Sequence, residues 1–214
     1  MYEPILVGAE STSRRVRAVR GLLLCDRDGV IIEDRPTFVR RSSDIVVYPG
    51  AVEALVRAGE QGIPVVIISN QSGIGRGVLR ADDAIALHRG LVADLQLAGV
   101  PILGSFLCPH APEAGCECRK PSPRMLIAAT AEYGFSLDRT AFVGDSRVDM
   151  EAAVAAGVYP VLVATGRGAD EVEAVSRTPR LSAVQMARDL SEAVDYVCQH
   201  LGPEPGSLAL TRRP

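Results

Sequence analysis

Tryptophan is absent from this chain of 214 residues, and aromatic side chains make up only 4% of it. That scarcity leaves no aromatic–basic stripe on which the bases of a nucleic acid could stack. It also means that any core must be assembled from Val, Leu, Ile and Ala, as the buried strands of parallel sheets usually are. Neither sign of charge is in large excess, with a formal net charge of −3, so a polyanion-binding surface is not expected. Long apolar runs are missing as well. Stretches such as Val65–Ile68 are far too short to span a bilayer, and the first twenty residues contain Arg14, Arg15, Arg17 and Arg20 but no apolar run of the kind a targeting signal needs. The expectations are a cytoplasmic protein, with no membrane partner, no nucleic acid and a monomeric state. No internal repeat is visible.

Hydrophobic residues amount to 47% of the chain, enough to fill one core, and the length suits one domain. Short apolar runs at Leu22–Cys25, Ile63–Ile68, Ile102–Leu107, Ala141–Val143 and Val161–Val163 read as buried strands. Helical patterns alternate with them: Gly50–Gly62, Ala81–Ala98, a helix capped by Ser122 and Pro123 that runs to about Tyr133, Asp149–Ala156 closed by Gly157, and a last helix opened by an Asp189/Glu192 capping box. This alternation predicts an α/β fold with a doubly wound parallel sheet over residues 21–201. Residues 1–20 read as an N-terminal extension and 202–214 as a C-terminal tail, both loose. Gly166–Arg180 reads as a loop with some helix.

In such sheets ligands gather at the carboxyl ends of the strands. Polar residues stand after four successive strands: Asp26–Asp28, Ser69–Gly77, Cys108–Lys120 and Asp145–Asp149. Asp26 and Asp28, two residues apart, repel each other, and a hard divalent cation with oxygen ligands relieves that conflict. A carboxylate can attack phosphorus, and a second one can pass a proton to the leaving oxygen. Ser69 supplies a hydroxyl donor, Lys120 a cation to balance phosphoryl charge, and Asp145 a third carboxylate. Asp149, one helical turn on, reads instead as a helix N-terminal acid favoured by the dipole. Taken singly, each of these is also an ordinary polar turn.

Together these residues, in this order, resemble the haloacid dehalogenase superfamily over about Gly21–Leu201. The resemblance implies a Rossmann-like sheet, Asp26 as nucleophile and Asp28 as general acid and base. It implies magnesium held by the side chains of Asp26 and Asp145 and the backbone carbonyl of Asp28, with Ser69 and Lys120 on the transferred phosphoryl group.

Of five cysteines, Cys108, Cys116 and Cys118 fall within eleven residues. With His110 they make a Cys-x-His, Cys-x-Cys set across a five-residue spacer, which is a ligand set for a closed, structural zinc site. Cys25 and Cys198 read as core residues, and His88 and His200 receive no role.

This loop, 108–118, resembles one subgroup of the superfamily, the D-glycero-D-manno-heptose-1,7-bisphosphate 7-phosphatases and the related histidinol-phosphatases. The Ser69–Gly77 stretch is closer to the heptose enzymes, and the short zinc spacer to the histidinol enzymes. The heptose resemblance implies a small phosphorylated metabolite held by Asp34, Arg35, Asn70, Gln71, Ser72 and Arg119. Three positions depart from its pattern: Val30, Ile32 and Ser146. The intervals between Asp26, Ser69 and Lys120 leave no room for a separate cap domain, so Glu33–Arg41 and the zinc loop must select the substrate. Histidinol phosphate, a polynucleotide 3'-phosphate and an inactive binding module are the competing readings.

Overall fold

The computed structural model describes residues 4–8 and 19–202. In chain order the elements are β1 (Ile5–Gly8), β2 (Leu22–Cys25), α1 (Ala51–Glu60), β3 (Val65–Asn70), α2 (Ser72–Gly75), α3 (Ala81–Leu97), β4 (Ile102–Cys108), α4 (Arg124–Glu132), β5 (Thr140–Gly144), α5 (Arg147–Ala156), β6 (Tyr159–Val163), α6 (Gly168–Ser176), β7 (Gln185–Ala187) and α7 (Leu190–His200). The strands form one sheet in the order β1-β4-β3-β2-β5-β6-β7. All pairs are parallel except β1 with β4.

Alternation along the central strand divides the core into two layers. Leu23 and Cys25 of β2 face one cluster, filled by Leu55 of α1, Leu91 and Leu95 of α3, and Val194 and Val197 of α7. Leu22 and Leu24 face the other, filled by Met125 and Leu126 of α4 and by Ala152 and Ala153 of α5. With helices on both faces, every residue of β2 is buried, which is why it reads as an unbroken apolar run. Among the described residues, only a flap, a short 3-10 turn (Ser42–Asp44) and α1 lie between β2 and β3, and no separate domain is inserted. No helix among them is long and apolar enough to cross a membrane.

The structure corrects several local readings. Ile5–Gly8, expected in a loose tail, adds an antiparallel strand to β4; the rest of Met1–Val19, apart from residues 4 and 19, lies outside the described residues, as does the C-terminal tail beyond Gly202. The helix expected from Pro123 begins at Arg124, with Pro123 as its N-cap and no side-chain cap; the Ser122 hydroxyl only accepts a long bond of 3.4 Å from the Arg124 amide. The 166–180 loop is largely α6. The Asp189 side chain caps α7 as expected, accepting from the Glu192 amide, but Glu192 reaches back to the Arg188 amide. The short edge strand β7 had no sequence signal.

Candidate active site

Parallel pairing puts the carboxyl ends of β2 to β6 on one edge of the sheet, and a cleft of about 470 Å³ opens there. It is lined by all the residues singled out for phosphate chemistry and substrate contact: Asp26, Asp28, Asp34, Arg35, Ser69, Asn70, Gln71, Ser72, Arg119, Lys120 and Asp145. The Cys108, His110, Cys116 and Cys118 cluster stands outside it.

Asp26 follows β2, and its amide continues the sheet by donating to the Val143 carbonyl (2.9 Å). Its carboxylate meets the Lys120 ammonium at 2.9 Å. Lys120 is buried, 2% exposed, and it also contacts Asp149 at 2.7 Å and donates to the Ile68 carbonyl at 3.2 Å. One cation thus faces three buried carboxylates, since Asp26, Asp145 and Asp149 bring oxygens within 4.8 Å of one another. Burial pushes Asp26 up to about 7, with Lys120 opposing and Asp149 reinforcing the rise. Burial, then Asp149 and Asp26, push Asp145 up to about 8. Burial would depress Lys120, but Asp149 and Asp26 hold its ammonium charged, above the usual lysine range. This all-oxygen set, short of positive charge, fits a hard divalent cation such as magnesium.

Asp28 lies in a different field. Burial raises it, yet Arg27, joined by Gln71 and Lys120, outweighs burial and holds the carboxyl below the usual range. Arg27 grips it through Nε (3.1 Å) and Nη2 (3.0 Å), and Gln71 Nε2 donates to it at 2.8 Å. Gln71 also donates to Ser69 Oγ (2.8 Å) and accepts from Arg27 (2.9 Å), so the ends of β2 and β3 are cross-linked. Asn70 lines the cleft and also braces the lysine. Its amide accepts from the Lys120 N–H (3.1 Å) and donates to the Lys120 carbonyl (3.2 Å), fixing that lysine's backbone.

Two glycines allow the floor to close. Gly29 (φ +84°) and Gly166 (φ +58°) pack so tightly on Asp145 that a Cβ would fall 2.0 and 2.2 Å from its Oδ2. Both hold left-handed backbone that favours glycine.

Sequence reasoning missed three participants. Arg27, between two aspartates, receives no role from the sequence. Asp149 combines two roles, closing a capping box with Ser146 and pairing with Lys120. Arg167 enters from a fifth strand end, that of β6, where its amide donates to Asp145 Oδ2 at 2.9 Å; the polar Thr165–Gly168 run was the available signal. The departures at Val30 and Ile32 are wholly buried and do not line the cleft. Ser146 does line it, with its hydroxyl bonded to Asp149. His88 is buried in α3 and pushed down to about 3 by burial and by Arg27, and neither ring nitrogen finds a hydrogen bond among the described residues.

In the zinc loop, Cys108 Sγ lies 3.4 Å from Cys118 Sγ, 3.6 Å from Cys116 Sγ and 3.5 Å from His110 Nδ1. Cys118 lies 3.7 Å from Cys116 and 3.3 Å from His110 Nδ1. These spacings are too long for disulfides, at about 2.05 Å. They are close to the edges, about 3.8 Å, of a tetrahedron with zinc–sulfur distances of about 2.3 Å. The donor set therefore fits a structural zinc, and Arg119, directly after Cys118, is tied back to it through the His110 carbonyl (3.3 Å).

Comparison with known proteins agrees with this geometry. The family model described as haloacid dehalogenase-like hydrolase matches residues 3–157, and a second, HAD-hydrolase-like, matches 117–201. A Pseudomonas putida protein named D-glycero-beta-D-manno-heptose-1,7-bisphosphate 7-phosphatase is 41% identical over 152 residues, covering 71% of this chain and 87% of its own. A Thermosynechococcus vestitus protein named D-glycero-D-manno-heptose-1,7-bisphosphate 7-phosphatase is 33% identical over 195 residues, covering 86% and 98%. The solved structure of D,D-heptose 1,7-bisphosphate phosphatase from B. bronchiseptica, complexed with magnesium and phosphate, superposes with a TM-score of 0.77 at 34% identity, covering 84% of this chain and 98% of that one. The chain belongs to the haloacid dehalogenase-like hydrolase family, among relatives that are named as phosphatases.

Proposed function

We propose that this chain is a magnesium-dependent phosphatase that removes the 7-phosphate of D-glycero-D-manno-heptose 1,7-bisphosphate, or a closely related sugar phosphate, through an aspartyl-phosphate on Asp26. The observation that carries this reading is the burial of Lys120 between Asp26 and Asp149 beside Asp145, at the carboxyl edge of the sheet. The arrangement sets a cation against the attacking carboxylate and balances part of the charge that a phosphoryl group brings.

In the proposed reaction a carboxylate oxygen of Asp26 attacks phosphorus as the phosphorus–oxygen bond to the sugar breaks. Asp28 gives its proton to the departing oxygen. A water then attacks the aspartyl-phosphate, Asp28 takes a proton from it, and phosphate leaves with Asp26 restored. At rest Asp28 is held ionised by Arg27, so it acquires its proton only with substrate. The anionic phosphoryl group favours that uptake, because a neighbouring like charge raises a carboxyl's affinity for protons. Ser69 and Lys120 hold the phosphoryl oxygens. Magnesium, held by Asp26, Asp145 and the Asp28 carbonyl, would shield the attacking carboxylate from the phosphoryl charge. The zinc loop fixes the position of Arg119.

Histidinol phosphate is the principal competitor. Its cationic amine would have to displace Arg167 from Asp34 (3.3 Å) or Arg35 from Glu33 (3.7 Å), exchanging one cation for another with no gain in charge pairing. The deciding experiment is a turnover screen against phosphorylated heptoses and hexoses, histidinol phosphate and 3'-phosphorylated oligonucleotides. A kcat/KM for histidinol phosphate tenfold above that for the heptose bisphosphate, about 1.4 kcal/mol in transition-state binding, would reverse the ranking.

A further inference from the structure

A substrate with two anionic groups places one over Asp26 and must place the other against some second cation. This inference rests on the bisphosphate reading and asks which cation that is. The two at the floor are already engaged: Lys120 by Asp26 and Asp149, and Arg27 by Asp28. Arg119 donates to the His110 carbonyl, Arg76 pairs with Glu113 at 3.1 Å and Arg35 lies 3.7 Å from Glu33; among the described residues none of these three has a backbone hydrogen bond to the carboxylate cluster. On the β5 side, Ser146 offers no charge.

Arg167 is built differently. Its stem is fixed at three points. Thr165 donates to the Gly29 carbonyl (2.7 Å), the Gly166 amide donates to the Tyr48 hydroxyl (3.2 Å), and the Arg167 amide itself donates to Asp145 Oδ2 (2.9 Å). The backbone is therefore locked to the carboxylate cluster where the chemistry occurs. The head is loosely held. Its side chain is 68% exposed at the mouth of the cleft, and its ion-pair partner is Asp34, with Nε 3.3 Å from Oδ2. Exposed pairs of this kind contribute little to stability, whereas a guanidinium binds a phosphate through two parallel, charge-assisted hydrogen bonds. A substrate phosphate therefore outcompetes Asp34. The exchange also frees the Asp34 carboxylate, on the flap that borders the cleft, to accept hydrogen bonds from sugar hydroxyls.

We propose that Arg167 is a specificity-determining residue, whose guanidinium exchanges Asp34 for the substrate's second anionic group while Asp34 turns to the sugar. A ligand with a hydroxyl or an amine at that end gains nothing from the exchange.

The test compares steady-state kinetics of the wild type, Arg167→Ala and Arg167→Lys on the 1,7-bisphosphate and the 7-monophosphate of the same heptose, with magnesium present. The backbone amide survives both substitutions, so the link to Asp145 is kept, and melting temperatures verify folding. Arg167→Ala is expected to raise KM for the bisphosphate roughly tenfold to a hundredfold, the scale of losing charged hydrogen bonds. Its kcat should stay within about threefold, and KM for the monophosphate within about twofold, because neither depends on those bonds. Lysine should restore part of the loss, since it keeps the charge without the fork. An Arg167→Ala enzyme that still prefers the bisphosphate as strongly as wild type overturns this proposal alone, and so does an equal loss on both substrates. A wild type that does not distinguish the two substrates overturns the bisphosphate reading, and this proposal with it.

Discussion

Lys120 and Asp149 form an ion pair of 2.7 Å in which both side chains are 1% exposed. Asp149 also closes the capping box of α5 with Ser146. Replacing it therefore strands a buried ammonium with Asp26 as its one remaining carboxylate partner and uncaps a helix. Asp149→Ala should cost about 3–5 kcal/mol of unfolding free energy, the usual penalty for breaking a buried pair, with a fall in turnover as Lys120 loosens. Asp149→Asn keeps an oxygen for the cap and should lose less stability. Urea unfolding of both variants checks this; a cost below about 0.5 kcal/mol for the alanine variant would show that the pair contributes nothing.

Asp26→Asn should abolish turnover while leaving the fold intact. An amide is a far poorer nucleophile than a carboxylate, and loss of a nucleophile commonly costs at least about a thousandfold in kcat. Single-turnover phosphate release, read beside a circular dichroism melt, separates lost chemistry from lost structure. Near-normal release would rule out the covalent route.

The raised carboxyls make a pH prediction with a definite sign. Asp26 goes from the usual 3.8 to about 7, and Asp145 from 3.8 to about 8. A carboxyl that holds its proton more tightly when folded contributes stability that is fully present below the unfolded value and lost as pH rises through the folded one. Without added magnesium, stability should therefore fall between about pH 4 and about pH 8. Magnesium binds the ionised cluster, so the rise in melting temperature on adding it should be larger at about pH 8 than at about pH 5. Equal increments at both would contradict the cluster's role as its site.

Zinc should matter to the fold more than magnesium does. Metal analysis of protein purified without chelators should find about one zinc per chain, as one closed four-ligand site requires. Stripping it should lower the melting temperature by more than withholding magnesium, because structural zinc contributes folding energy directly. Zinc-free protein with an unchanged melt would overturn this.

Gly166→Ala puts a methyl group 2.2 Å from Asp145 Oδ2. It should weaken magnesium affinity and lower kcat/KM by tenfold or more, the scale expected when catalytic geometry shifts by about 1 Å. Gly134→Ala is the control. It has a similar positive φ of +70° but nothing within 4 Å of the added carbon. It should cost only backbone strain, about 1–2 kcal/mol, and leave activity alone.

The residues that were legible in the sequence are those whose chemistry is local. Leu22–Cys25 is buried on both faces and so reads as a strand. Cys108, His110, Cys116 and Cys118 sit close along the chain, so their spacing already describes a site. What stayed hidden depends on approach in space. Arg27 has no assigned role until Gln71, distant in sequence, comes within 2.9 Å. Asp149 reads as a helix-end acid until Lys120 is folded against it. Asn70 reads as a substrate contact beside Ser69, and its bonds to the Lys120 backbone depend on two loops that meet only in space. Pairing of Ile5–Gly8 is long-range, and four residues carry too little pattern to announce it.

That short strand has a consequence unrelated to catalysis. β4 is bonded to β3 on one side, and β1 covers the other along Gly104–Leu107. An uncovered edge of this kind offers a row of free amides and carbonyls to any passing copy, and β4 carries the apolar stretch ILGSFLC. A chain trimmed back to Leu22 would keep every residue that lines the cleft and still be at risk of polymerising edge to edge. The amino-terminal strand works as a stopper, keeping a reactive border of the sheet from templating its own neighbours.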